Sequence, residues 1–204
     1  MRLWGQDLWT SRYVDALLPG VVRRVLDGAE PQPRYLWRRV LTVVSVDVDT
    51  AAGVGAVWIV WRPKSRRARQ HTALLEWYDE RWRCPGAAIG PADDPTSVDV
   101  IEVRGGAGTL SLTRRLDVCS VSPGTWISCA EIHVGPGVGH ILIGDRRIDA
   151  PQQGRLIAAW KCPYTERRKR PLIVAAGHDG TELSRMGPLD GLDSNTWARV
   201  RRYL

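Results

Sequence analysis

The residues best placed to do chemistry stand in Ser128-Cys-Ala-Glu-Ile-His-Val134, where Cys129, Glu131 and His133 alternate. A cysteine with a histidine four residues on can be a nucleophile and its base, or two ligands of one zinc ion. Either use needs the two side chains within a few ångströms. A helix would bring them that close, whereas four residues of strand span roughly 13 Å. The segment from Thr125 to Val134 is flanked by glycines and lacks helix formers at its ends. It is expected to be a strand, with Cys129 and His133 too far apart to cooperate. No Cys-x-x-Cys, His-x-x-x-His, Gly-x-Ser-x-Gly or His-Glu-x-x-His spacing occurs elsewhere.

Two glycine-rich stretches, Gly135-Pro-Gly-Val-Gly139 and Gly105-Gly-Ala-Gly108, invite comparison with phosphate-cradling loops. Such a loop runs from a strand into a helix N-terminus, where free N–H groups meet the anion. Strand-like residues follow both stretches, so each is expected to be a plain connector, the first of them a hairpin. Asp47 and Asp49 fall on one face of a strand, roughly 6.6 Å apart. They could share a cation or act as an acid/base pair, but the further ligands of a calcium loop are missing. Solvated carboxylates at a strand end are expected instead. Asp93-Asp94 and the pair Asp145 and Asp149 occupy turn-like contexts, and His71 and His178 are expected to be exposed.

Binding residues are better represented. The formal net charge is +7, and all but three of the 29 basic residues are arginine. Arg62, Lys64, Arg66, Arg67 and Arg69 form one cluster, Arg167, Arg168, Lys169 and Arg170 a second, and Arg199, Arg201 and Arg202 a third. Were the first two loops at the same end of the fold, they would form one anion-attracting surface. The competing explanation is a solvated surface enriched in arginine by a high-GC bacterial genome. Ten tryptophans and no phenylalanine are present. Trp58, Trp61, Trp77, Trp82, Trp126 and Trp160 lie in strand-like runs and are expected to fill the core. Trp4, Trp9 and Trp37 lie in or beside the N-terminal arm, where they suit docking onto the chain's own sheet or onto a partner.

The elements that must position these residues are mostly strands. Val40–Val48 and Ala56–Trp61 are β-branched and aromatic runs joined by a short link with two glycines, which predicts a hairpin. In the first run Val44, Val46 and Val48 are expected to face one way and Ser45, Asp47 and Asp49 the other. The second has no polar face and is expected to be covered on both sides. Strand signals then recur every 8 to 15 residues through Leu183, without long helical patterns between them. Among them are a hairpin turning at Asp79-Glu80, a loop over Pro85–Pro95, and strands at Leu116–Val121 and Arg155–Trp160. Before them, Val14, Leu17, Leu18, Val21, Val22 and Val25 mark one stripe of a helix, with Gly28 placed to end it. Pro19-Gly20 is expected to kink that helix.

This predicts a mainly β chain, an antiparallel two-sheet β-sandwich or barrel with a helical N-terminal arm and a short C-terminal helix. The arm and linker span 1–34, the β domain 35–188 and the tail 189–204. With 44% hydrophobic residues the chain can build a core, and no apolar run nears the roughly 20 residues that span a bilayer. The N-terminus lacks a signal peptide's apolar core and cleavage site, so a cytoplasmic location in a bacterium is expected. Cys84, Cys119, Cys129 and Cys162 are expected to be reduced thiols. No cofactor or metal is expected. The first functional expectation is a non-enzymatic protein-binding or scaffold module contacting its partner through Trp4, Trp9, Trp37, Arg66, Arg67, Arg69, Arg167, Arg168 and Arg170. The alternatives are a nucleic-acid-binding accessory protein using the arginine-rich loops, and a hydrolase whose site is dispersed along the chain.

Overall fold

Val40–Val48 and Ala56–Trp61 form the expected hairpin. In the computed structural model, which describes residues 16–92, 98–113, 124–188 and 201–202, β1 (Leu41–Asp49) and β2 (Val54–Trp61) pair antiparallel from Leu41↔Trp61 to Asp49↔Val54. β3 (Arg69–Tyr78) and β4 (Arg81–Pro91) complete a first sheet in the order β1-β2-β3-β4. The β3–β4 turn places both Asp79 and Glu80 at positive φ, 53° and 58°, the twist that a two-residue hairpin requires. β4 runs on through the stretch expected to be a loop. Cys84 and Pro85 together oppose Leu75, so the proline sits at a bulge on an edge strand, where its missing N–H breaks no regular ladder.

The second sheet is β5-β6-β9, with β5 at Ile101–Leu110, β6 at Thr125–Val134 and β9 at Arg155–Pro163. The glycines expected to separate two strands lie inside β5. A Cβ on Gly106 would stand 2.2 Å from the Cys129 carbonyl oxygen, so the close approach of β5 to β6 excludes a side chain there. The third sheet, in the order β11-β10-β7-β8, comprises β7 (Val138–Ile143), β8 (Arg146–Asp149), β10 (Ile173–Gly177) and β11 (Glu182–Met186). Residues 135–137 therefore make a corner between the second and third sheets, not a hairpin. The chain is mainly β and antiparallel, with its strands shared among three sheets where two were expected.

Residues 16–26 form a helix, α1. It continues through Pro19-Gly20, and both residues lie on its exposed face. It ends at Gly28, with φ +71°. The Gly28 and Ala29 amides donate to the Val25 and Arg24 carbonyls, the paired bonds of a left-handed helix stop. Leu17, Leu18, Val21 and Val22 pack on Leu41, Val43, Val57, Ile59, Ala73 and Leu75, covering the outer face of the first sheet. On the inner face, Val54, Ala56, Trp58, Val60 and Leu74 meet Ile127, Cys129, Ile157 and Ala159 of the second sheet. Ala130, Ile132, Leu156 and Ala158 then face Ile141, Ile143, Ile173 and Ala175 of the third. β2 is thus covered on both faces, as its wholly apolar sequence demands.

A bulge at Val43–Ser45 corrects one detail of β1. Val44 joins the inner core, while Val46 and Val48 face α1. The linker before β1 is tied down as well. The Gln32 amide accepts a hydrogen bond from the Val43 N–H and donates to the Leu41 carbonyl, both across buried ground, which occupies polar groups along this edge strand. The expected C-terminal helix, the Leu116–Val121 strand, Asp93-Asp94 and Cys119 lie outside the described residues. No helix among the described residues is long and apolar enough to cross a membrane.

Candidate functional site

β6 is extended throughout, so Cys129 and His133 stand two same-face positions apart, on rungs with Ala159 and Arg155 respectively. Burial pushes the Cys129 thiol up to about 12, which leaves it protonated and inert near neutral pH. Glu131 is engaged across the sheets. It accepts hydrogen bonds from the Thr72 hydroxyl and, at 3.2 Å, from Gln70 Nε2. The His133 ring packs against Trp58 at 5.7 Å between centroids. The alternating trio therefore spans the interface between sheets without forming a nucleophile–base pair. No group of three or more His, Cys, Asp or Glu suited to a metal ion occurs among the described residues.

Asp47 overturns the expectation of a solvated carboxylate. It is 7% exposed, accepts a hydrogen bond from Arg146 Nη1 at 2.6 Å and another from the Ala159 N–H at 2.7 Å. Arg146 Nη2 donates in turn to the Ala159 carbonyl at 2.6 Å, and its Nε lies 3.7 Å from Asp49. Ser45 accepts from the Ile157 N–H at 3.0 Å. Side chains of β1 thus satisfy backbone donors of β9, and Arg146 of β8 joins in, so one clip ties all three sheets. Burial raises the Asp47 carboxyl above its ordinary 3.8, and Arg146 and the Ala159 N–H pull it part of the way back.

Glu76 forms a second clip. Its side chain is wholly buried and lies 3.0 Å from Lys161 Nζ. It also accepts hydrogen bonds from the Ser111 hydroxyl and the Leu112 N–H, each at 2.7 Å. His71, expected outside, is buried at 3% exposure, whereas His178 is exposed. Trp77, expected in the core, is 49% exposed and packs edge-on against Trp82, while Trp58 is fully buried.

The residues singled out for binding fall in two places. Trp37 is 61% exposed and Tyr35 72%, and the Arg39 guanidinium lies 3.9 Å from the Trp37 ring centroid. Beside them, Arg39, Val40, Trp61, Arg62, Lys64 and Ser65 line an open groove of about 440 Å³. Its loop is built from consecutive turns. The Ser65 N–H donates to the Arg62 carbonyl, the Ala68 N–H to the Ser65 carbonyl, and the Arg67 N–H to Ser65 Oγ. Arg62, at φ +49°, donates its own N–H to Val40. Arg62, Lys64, Arg66 and Arg67 are exposed and pair with no carboxylate among the described residues. Arg69 opens β3 and is also exposed.

The second basic loop is elsewhere. Arg167 lies over the Tyr164 ring at 4.0 Å and donates to the Tyr164 carbonyl. Arg168 is exposed, and the Arg170 N–H donates to Pro188. Gln70 and Thr72 at the start of β3 meet Glu131, while Glu76 near its end meets Lys161 near the end of β9. The loop 62–68 thus precedes the start of β3 at one end of the sheets, and 164–170 leaves the end of β9 at the other. The first two basic clusters do not merge. Trp4 and Trp9 lie outside the described residues.

A cleft that sequence did not suggest lies at the β6–β7 corner. It holds about 440 Å³ and is walled in part by His133, Arg155 and His178. They come from β6, β9 and the β10–β11 turn, far apart in sequence, so no local motif announces them. Comparison with family models, with curated proteins and with solved structures finds no match, and geometry alone carries the functional argument.

Proposed function

We propose that the chain is a non-enzymatic protein-binding module of a bacterial cytoplasm that grips an acidic, aromatic-bearing segment of its partner on the Tyr35–Arg39 and Arg62–Arg67 face. The observation behind this is the set of cations at Arg62, Lys64, Arg66 and Arg67, unmatched by described carboxylates and set on a turn-braced loop beside exposed Tyr35 and Trp37. Aromatic residues and arginine dominate the energetics of protein interfaces, and unmatched cations favour an acidic partner. Residues 35–188 act as the module, a sandwich of the first and second sheets backed by the third. Residues 1–34 are its arm and linker, of which α1 packs on the first sheet, and 189–204 are its tail. Separation of the basic loops by the length of β9, nine residues or roughly 30 Å, argues against one continuous track for a nucleic-acid backbone.

Fluorescence anisotropy with a labelled Glu-rich peptide containing one tyrosine tests the proposal, with single-stranded and duplex DNA as competitors. The peptide binds, and joint replacement of Arg62, Lys64, Arg66 and Arg67 by Ala weakens it about tenfold or more. DNA that binds more tightly, with affinity falling steeply with salt, would transfer the face to nucleic acid. Peptide affinity unchanged in the fourfold variant would end the proposal.

A further inference from the structure

The groove beside the β2–β3 loop limits which group of a partner can enter it. Arg39 and Val40, just before β1, line one side, and Trp61, Arg62, Lys64 and Ser65, at and beyond the end of β2, line the other. The two stretches are held opposite each other. Leu41 pairs with Trp61, and the Arg62 N–H donates to the Val40 carbonyl at 2.8 Å. The turns that begin at Arg62 and Ser65 brace the loop, and the Arg39 guanidinium rests on the Trp37 ring at 3.9 Å. At about 440 Å³ the groove is at the small end of ligand sites, with room for one large side chain.

Its lining joins two kinds of surface. Val40, 39% exposed, and Trp61 supply apolar wall. Arg39, Arg62 and Lys64 supply three cations, and Ser65 a hydroxyl. No aspartate or glutamate is among the lining residues, and none of the three cations pairs with a carboxylate of the described residues. A partner's carboxylate would answer one of these cations and leave the apolar wall bare. A phosphate group carries a charge of about −1.5 to −2 and three acceptor oxygens, enough to engage several of them at once, and guanidinium groups match its geometry. Phosphoserine holds its phosphate close to the backbone and has no ring to set against Val40 and Trp61. Phosphotyrosine joins an aromatic ring to the phosphate on one side chain, which matches both parts of the lining. We propose that this groove takes a phosphorylated tyrosine of the partner, so that phosphorylation strengthens the partner's grip. The assignment rests on the reading of this face as a site for an acidic, aromatic-bearing segment.

Anisotropy measurements on the full chain with the Glu-rich tyrosine peptide and its phosphotyrosine twin test this. The phosphorylated twin is expected to bind about tenfold or more tightly than the unmodified peptide. Arg39→Ala and Lys64→Ala, within the groove, each cut that preference to about threefold or less. Arg66→Ala, outside the groove, weakens both peptides by a similar factor, and Arg168→Ala at the other end of the sheets changes neither. All four residues are exposed, and circular dichroism checks the fold of each variant. Phenyl phosphate is expected to displace the twin at lower concentration than inorganic phosphate. Equal affinity for the two peptides would overturn the groove's assignment while the acidic-segment reading stands. A phosphoserine peptide bound as tightly as the phosphotyrosine one, or inorganic phosphate competing as well as phenyl phosphate, would reduce the groove to a bare anion site and overturn it too. Tighter binding of single-stranded DNA than of the phosphotyrosine peptide would give the groove to nucleic acid. Binding of neither peptide would end both readings.

Discussion

Between the sheets, Asp47, Glu76 and Glu131 each sit under 8% exposed with two or more donors aimed at their oxygens. On the face around the β2–β3 loop, Arg62, Lys64, Arg66 and Arg67 stand in solvent with no described carboxylate to meet them. The difference follows from the cost of desolvation. A carboxylate leaves water only where hydrogen bonds replace its hydration, so each buried acid is fixed to named partners. An exposed arginine keeps its hydration and needs no partner, so its position is free to serve recognition. Part of the acidic complement is thereby spent inside the molecule.

Glu76 gives the largest test of this contrast. Truncation to Ala would leave Lys161 without its counter-charge and the Leu112 N–H without its acceptor around a cavity, while the Ser111 hydroxyl keeps its contact with Thr113 Oγ1. It is expected to cost about 3–5 kcal/mol in denaturant unfolding. Glu76→Gln keeps an acceptor for Ser111 or Leu112 and should cost less. A loss under about 1 kcal/mol for Glu76→Ala would show that the buried clips are not what separates the interior from the face.

Asp47 tests the same contrast more finely, through pH. Burial raises its folded carboxyl above the ordinary 3.8, outweighing Arg146 and the Ala159 N–H. The native state therefore holds this proton to higher pH than the unfolded chain does. The group's stabilising share is complete below 3.8 and declines as pH rises through the elevated folded value. Asp47→Asn stays close to the protonated form at every pH. The advantage of the wild type over this variant should be greatest in acid and shrink toward neutrality, as read from unfolding curves at stepped pH. An advantage that grows with pH would mean that Arg146 more than repays the burial.

Much of this architecture could be read from residue types. The wholly apolar β2, the glycine-ended α1 and the turn at Asp79-Glu80 were legible because each rests on a local rule of periodicity or backbone conformation. The distance between Cys129 and His133 followed from strand geometry alone. What escaped depends on non-local contacts. The burial of Asp47 is decided by β9 and Arg146, about a hundred residues away in sequence. Gly106 looked like punctuation because its reason, the Cys129 carbonyl, lies on another strand. The cleft gathers His133 of β6, Arg155 of β9 and His178 of the β10–β11 turn from distant parts of the chain, and the two basic loops diverge because of strand direction, which composition does not encode.

The smallest expected effect lies on the exposed face, and it is also the most discriminating. Arg62, Lys64, Arg66 and Arg67 crowd four like charges into six residues, near enough to repel one another in dilute salt. Arg66→Glu should leave stability within about 0.5 kcal/mol of wild type. Any change should be a slight gain at low ionic strength that fades as salt screens the repulsion. Thermal unfolding of both proteins at low and high salt measures this. If these cations are held for recognition, the variant stays folded and loses affinity for the acidic peptide. A stability loss above about 1 kcal/mol, insensitive to salt, would instead mean that Arg66 takes part in a structural tie like those of Asp47 and Glu76, and the distinction between interior and face would fail at that residue.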